Sequence, residues 1–140
     1  ERHRIPLDHG EVLLIDESYN ANPASMEATL KSLGAERDVT RRIAVLGPMR
    51  ELGPHSDALH AGLAPAVSDA QVDRLILIGE EMRPLAEALA GKVGLDLLFT
   101  VEDATDCLRS MLRPGDAVLV KASNSVGLAR LVERVAGGGA

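Results

Sequence analysis

The chain has 140 residues, a formal net charge of −6, and only one tyrosine and one phenylalanine. This length fits a single domain, residues 1–140, that buries roughly 68% of the surface of its unfolded chain without disulfides. An acidic chain with so few aromatic rings is not typical of nucleic-acid-binding proteins, and no apolar run approaches the roughly 20 residues that cross a bilayer. We therefore expect a cytoplasmic protein that binds neither nucleic acid nor membrane. We also expect it to be a monomer.

Strand-like and helix-like runs alternate along the whole chain. The predicted elements are strands at 5–7 and 11–15, a helix at 23–33, a strand at 42–46, a helix from Ser56 that Pro65 kinks or ends, a strand at 74–78, a helix at 84–90, a strand at 97–100, a helix at 103–112, a strand at 117–121 and a helix at 128–135. Residues 136–140 are expected to be a disordered tail. The chain begins with charged residues and without methionine, which favours a domain of a longer polypeptide.

Local signals define several boundaries and the fold class. Gly10 in a short turn predicts that the first two strands are antiparallel. Asn22 followed by Pro23 predicts an N-cap and the first helical residue, and Gly34 predicts the end of that helix. The apolar run 74–78 is typical of a parallel strand covered on both faces. The pattern therefore predicts a Rossmann-like α/β fold, an open and mostly parallel sheet of about six strands with helices on both faces.

Ligands of such sheets bind outside the carboxyl ends of the strands. The stretch IDESYNANPASM, residues 15–26, follows one strand and is unusually polar. A helix cap accounts for Asn22 and Pro23 but not for the residues between them and the strand. Carboxylates such as Asp16 and Glu17 can accept hydrogen bonds from sugar hydroxyls or help to hold a divalent cation, and Asn20 offers a donor and an acceptor.

Lys121 ends the last predicted strand and is followed by Ser123 and Ser125. A cation beside small polar residues at a helix start suits an anion. The alternative is a well-capped helix whose lysine extends to water.

The glycines, histidines and the cysteine of the chain are interpreted as structural residues. The glycine-rich phosphate loops GxGxxG and GxxxxGK[ST] are both absent, and the segment 47–53 is better explained as a turn. His55 and His60 are five residues apart, which does not fit a helical metal pair, so we predict no metal site. Cys107, the single cysteine, is interpreted as a small buried hydrophobe.

Three motifs in order carry a resemblance to a known family. They are DESYNANP at 16–23, AVLGxMxELG at 44–53 with Ser56 and Leu59-His60 behind it, and VLVKxS at 118–123. Together they resemble the C-terminal domain of the Mur ligases, from about residue 10 to residue 135. The DxSYNAN block is most similar to the branch that joins D-Ala-D-Ala to UDP-N-acetylmuramoyl-tripeptide.

The resemblance implies a three-domain, ATP-dependent amide ligase of peptidoglycan precursor synthesis. In that family ATP phosphorylates the tripeptide carboxylate, and the amine of D-Ala-D-Ala attacks the acyl phosphate. The central domain binds most of ATP and Mg²⁺, and the N-terminal domain holds the UDP-sugar. The C-terminal domain closes over ATP and helps to place the dipeptide, so this domain is expected to carry no catalytic residue and to be inactive alone.

The resemblance also assigns candidate binding residues. Those for ATP are Asp16, Glu17, Tyr19, Asn20 and Asn22, with Asp16 or Glu17 as acceptor for the ribose. Those for the substrate are Met49, Arg50, Lys121, Ser123 and Ser125. The chain departs from the family pattern where Pro48 replaces Asp and where Ala122 and Asn124 replace Gly and Arg.

Two alternatives remain at the level of sequence. Another Mur-type ligase shares most of these motifs. A phosphorylation-receiver domain also has paired acids after one strand and a lysine after the last, but it needs an aspartate at the end of the central strand. Here the run 74–78 continues into Gly79 and Glu80.

Overall fold

Strand pairing in the computed structural model, which describes residues 2–17 and 21–121, gives one mixed sheet. The six strands of this described part are β1 (Arg2–Leu7), β2 (Gly10–Asp16), β3 (Arg41–Leu46), β4 (Arg74–Ile78), β5 (Gly94–Leu98) and β6 (Asp116–Lys121). Their order in the sheet is β1-β2-β6-β3-β4-β5. Only the β1-β2 pair is antiparallel among these strands, which confirms the predicted fold class.

Helices cover both faces of the sheet. The described helices are α1 (Pro23–Ala35), α2 (Ser56–Ala61), α3 (Ala64–Asp69), α4 (Arg83–Leu89) and α5 (Val101–Met111), with short 3₁₀ turns at Gly53–His55 and Glu80–Met82. Apolar side chains of α1, α3 and α4 form one core cluster with the sheet, whereas those of α5 belong to the cluster on the opposite face. No helix in residues 2–17 or 21–121 has the length and apolarity to span a membrane.

Several predicted boundaries differ from the structure by a few residues; the first strand, for example, begins at Arg2 instead of residue 5. Two of the differences have identifiable local reasons. The strand predicted at 97–100 is instead β5, which ends at Leu98, because the Thr100 side chain accepts a hydrogen bond from the Asp103 amide at 3.0 Å and caps α5. Pro65 does not kink a long helix; it lies in the first turn of α3, where its missing N–H costs nothing. The predicted helix 128–135 and tail 136–140 lie outside the described residues.

A buried ion pair joins the amino ends of β3 and β6. Arg41 donates from Nε and Nη2 to the two carboxylate oxygens of Asp116, at 3.0 and 2.8 Å. The Asp116 side chain is almost fully buried, and it also accepts the Arg113 amide at 2.8 Å. Hydrogen bonding to Asp116 raises the pKa of Arg41. The pair therefore fixes the end of the sheet opposite to the strand ends where ligands of such folds bind.

Gly34 has a packing role that the sequence did not reveal. Helix α1 continues through Gly34 to Ala35, two residues beyond its predicted last residue, so the predicted termination at Gly34 is wrong. A Cβ atom at position 34 would lie 2.8 Å from the Cα of Ala70. The glycine thus allows α1 to approach the end of α3 closely.

We expect Gly34→Ala to destabilise the protein by about 1 to 3 kcal/mol, because the new methyl group would overpack a backbone contact. Helix propensity alone predicts the opposite sign, a gain of about 1 kcal/mol. Urea unfolding gives the free energy difference. The control is Ser32→Ala, an exposed site on the same helix, which should be neutral or slightly stabilising. A stabilised Gly34→Ala protein would show that the α1-α3 contact is not tight.

Candidate functional site

The carboxyl ends of β2, β6 and β3 meet in the middle of one edge of the sheet. The Glu17 amide donates to the Val120 carbonyl at 2.9 Å, and the Gly47 amide donates to the Lys121 carbonyl at 2.9 Å. These bonds continue the two strand ladders by one residue beyond the strand ends. We call this region, Asp16–Glu17, Gly47–Arg50 and Lys121, the carboxyl edge.

Lys121 is buried at the carboxyl edge, with 4% of its surface exposed. It alternates with Leu119 and Ala117, which lie in the core cluster beneath α1, so its side chain is on the α1 face. Its ammonium group donates to the Glu17 carbonyl at 3.3 Å. Burial lowers the pKa of Lys121, and the negative charge of Glu17 opposes this shift. The alternative of a lysine extending to water is therefore wrong.

Asp16 and Glu17 are both partly exposed at the end of β2. Alternation along the strand directs adjacent side chains to opposite faces. Since Leu13 and Ile15 lie in the α1-side cluster, Glu17 falls on the same face as Lys121 and Asp16 on the α5 face. The paired acids predicted from sequence therefore reach two different sides of the carboxyl edge.

Asn22 is the N-cap of α1, as predicted. Its Oδ1 accepts from the Ser25 amide at 2.9 Å, and its own amide donates to Ser25 Oγ at 3.1 Å. This reciprocal capping box uses the side-chain carbonyl, so a contact of Asn22 with nucleotide remains a prediction that involves its amide nitrogen. Tyr19, Asn20, Ser123 and Ser125 lie outside the described residues, and their proposed roles stay predictions.

Two candidate substrate-binding residues, Met49 and Arg50, follow β3 and lie in different surroundings. The Met49 side chain is 3% exposed and packs in the α1-side core, so any substrate contact from this residue would involve its main chain. Arg50 is exposed and its Nη1 lies 2.9 Å from Glu81 Oε2. Binding of substrate by Met49 and Arg50 stays a prediction.

His60 is a buried residue of the site region that the sequence analysis placed in the second family motif and rejected as a metal ligand, without assigning it a role. It is fully buried, and its Nε2 accepts the Met49 amide at 3.0 Å. Its Nδ1 lies 2.8 Å from the Ser56 carbonyl, to which it donates, because that oxygen can only accept. The sequence carried one sign of this contact: Ser56 and His60 are four residues apart, which places them on the same face of a helix.

The thiol of Cys107 is partly buried rather than exposed and reactive. Its Sγ donates to Asp96 Oδ2 at 3.6 Å, and burial, together with the charge of Asp96, raises the pKa of Cys107. A raised pKa reduces the thiolate fraction at neutral pH. Within residues 2–17 and 21–121, no group of three His, Cys, Asp or Glu side chains is arranged to hold a metal ion.

The fold and the carboxyl edge define a Rossmann-like α/β domain with its candidate site at the strand ends. The family model of the Mur ligase, glutamate ligase domain, matches residues 3–124. The chain therefore belongs to this family. The alternative of a phosphorylation-receiver domain is wrong.

Curated relatives include proteins named UDP-N-acetylmuramoyl-tripeptide–D-alanyl-D-alanine ligase. The protein from Mycobacterium leprae is 37% identical over 159 residues, covering 99% of this chain and 31% of its own. The one from Synechocystis is 37% identical over 128 residues, covering 89% of this chain and 28% of its own. The chain thus spans about a third or less of the length of these relatives.

Solved structures share the fold. MurF ligase from Thermotoga maritima in complex with ADP has a TM-score of 0.76 at 24% identity, with 98% of this chain and 30% of that chain covered. A MurF structure from Acinetobacter baumannii has a TM-score of 0.79 at 22% identity, with 96% and 30% covered. At sequence identities of 24% and 22%, these two similarities show that the fold is shared.

Lys121 should make stability depend on pH in the alkaline range. Because its folded-state pKa is below its ordinary value of 10.5, the folded protein releases this proton first, so the unfolding free energy rises with pH between the two values. Lys121→Met should remove that rise. At neutral pH it should leave stability unchanged or raise it by about 1 kcal/mol, because an apolar side chain of similar length replaces a buried cation.

Urea unfolding of the wild-type and Lys121→Met proteins from neutral pH to pH 10.5 tests this prediction. Subtracting one unfolding free energy from the other at each pH cancels the contributions of the other titrating groups. A Lys121→Met protein that is much less stable at neutral pH would mean that the ammonium group is needed for folding.

Proposed function

We propose that this chain is the C-terminal domain of a three-domain, ATP-dependent ligase that adds D-Ala-D-Ala to UDP-N-acetylmuramoyl-tripeptide. The proposal is supported by membership in the Mur ligase family and by the names of the relatives at 37% identity. The observation that carries it is the carboxyl edge, where a buried lysine and two carboxylates come from strands far apart in sequence. The reaction belongs to cytoplasmic peptidoglycan precursor synthesis, and we propose a monomeric enzyme.

The carboxyl edge would supply one wall of the active site. A carboxylate of Asp16 or Glu17 fits an acceptor for ribose hydroxyls, since both side chains are partly exposed at the strand end. Lys121 fits an anion, because a cation in a site of low dielectric attracts negative charge strongly. The carboxylate of the dipeptide and the phosphates of ATP are the anions available.

The remaining groups would come from the rest of the enzyme. We propose that the central domain binds Mg²⁺ and most of ATP, since this chain lacks both phosphate-loop motifs. The UDP-sugar would be held mainly by the N-terminal domain. Closure of this domain would then bring Lys121, and the one of the two carboxylates that serves the ribose, to ATP and the dipeptide, and exclude water from the reacting groups.

Ligation by the full-length protein tests this function. We expect ATP-dependent formation of the pentapeptide product from D-Ala-D-Ala and UDP-N-acetylmuramoyl-tripeptide, and neither ligation nor ATP hydrolysis by the 140-residue chain alone. Lys121→Ala should lower kcat/KM by roughly 10², because a charge-assisted hydrogen bond in a closed site is lost. Lys121→Arg should restore part of it, since the charge is kept but the shape is not.

Three results would contradict the proposal. A full-length protein without ligase activity would exclude this reaction. Phosphate release from ATP by the isolated chain would mean that it holds a complete site. Full turnover by Lys121→Ala at sub-saturating substrates would remove Lys121 from the site.

The ribose acceptor can be assigned with nucleotides that lack one hydroxyl. If Glu17 accepts from the ribose, Glu17→Gln should raise the KM for ATP by roughly tenfold, since hydrogen bonds to charged groups contribute about 1.5 to 3 kcal/mol. The same variant should no longer discriminate ATP from 2′-deoxy-ATP or 3′-deoxy-ATP, whichever lacks the bonded hydroxyl. Asp16→Asn is the matched control on the opposite face. Loss of discrimination in Asp16→Asn only would assign the role to Asp16.

A further inference from the structure

His60 makes the hydrogen bond that fixes the segment after β3. The Met49 amide is buried, and an unpaired amide there would be costly. His60 Nε2 accepts this amide at 3.0 Å, and the Nδ1 contact with the Ser56 carbonyl holds the ring in the tautomer with a proton on Nδ1. The ring is thus oriented by the first turn of α2 and by the segment it supports.

The segment is fixed at two points separated by a single residue. At one point the Gly47 amide donates to the Lys121 carbonyl, and at the other the Met49 amide donates to His60. Pro48 lies between them, is buried, and has a restricted φ angle and no amide hydrogen. The direction in which the chain reaches Arg50 is therefore set by the strand end and by His60.

We propose that His60 is a positioning residue for Arg50 at the carboxyl edge. By holding the Met49 amide, it directs the exposed guanidinium of Arg50 to the side of the edge occupied by Glu81, beside the end of β4. A guanidinium held there suits the carboxylate of the incoming dipeptide, because its planar donors match carboxylate geometry. Binding of the dipeptide carboxylate by Arg50 rests on the proposed ligase function. The positioning of Arg50 by His60 does not depend on that function.

The first test is NMR spectroscopy of the 140-residue chain. Nitrogen shifts of the His60 ring should report a protonated Nδ1 and an unprotonated Nε2. His60→Ala should shift the Met49 amide and the Arg50 Nε–H signals, and His60→Gln should largely restore them, because a glutamine side-chain oxygen can accept from the Met49 amide. Unchanged Arg50 signals in His60→Ala would overturn the proposal, whatever reaction the enzyme catalyses.

The second test is steady-state kinetics of the full-length enzyme. His60→Ala should lower kcat/KM for D-Ala-D-Ala by roughly 10², mainly through a higher KM for the dipeptide, while the KM for ATP barely changes. His60→Gln should recover most of this loss. The control is Leu108→Ala, a truncation in the core on the opposite face, assayed where every variant is folded.

The kinetic outcomes separate the two proposals. Equal losses in His60→Ala and Leu108→Ala, or no rescue by glutamine, would reduce His60 to a stabilising residue. A wild-type enzyme that does not ligate D-Ala-D-Ala would overturn the proposed function, and the NMR signals of Arg50 would still decide whether His60 positions it.

Discussion

Insertion of β6 between β2 and β3 is the interaction on which the rest of the structure depends. β6 pairs in parallel with both strands, and every one of its residues is buried. The pairing brings the Lys121 ammonium to the carbonyl of a residue 104 positions earlier and joins Arg41 to Asp116 across 75 positions. Because β6 is the last described strand along the chain and lies between β2 and β3, the candidate site exists only once these distant segments have paired.

The two ends of β6 carry opposite charges in very different surroundings. At the amino end, Asp116 is fully satisfied by Arg41 and the Arg113 amide, so its burial stabilises one arrangement of strands. At the carboxyl end, burial lowers the pKa of Lys121, which means that the charged form is disfavoured there. An apolar residue would complete the strand at lower cost. This cost of burying the ammonium group is what the anion-binding role proposed for Lys121 would offset.

The sequence predicted the fold well because strand and helix periodicities are local properties. Apolar runs defined β3, β4 and β6 nearly to the residue, and Asn22 with Pro23 defined the start of α1. What it missed depends on tertiary contacts. Burial of Lys121, the role of Gly34 beside Ala70, and the bond from His60 to Met49 arise only after distant elements pack together.

Pro48 shows how the chain tolerates a departure from the family pattern. An aspartate there would place a carboxylate in a buried position, whereas proline needs no partner for its nitrogen. A Cβ at Gly79 would lie 3.7 Å from the Pro48 ring, and Gly79 has a φ of 106°, so the end of β4 passes close beside the proline. With no amide at position 48, the segment relies on the amides of Gly47 and Met49. The path of the chain along this edge is therefore fixed by those two hydrogen bonds, one to the Lys121 carbonyl and one to His60.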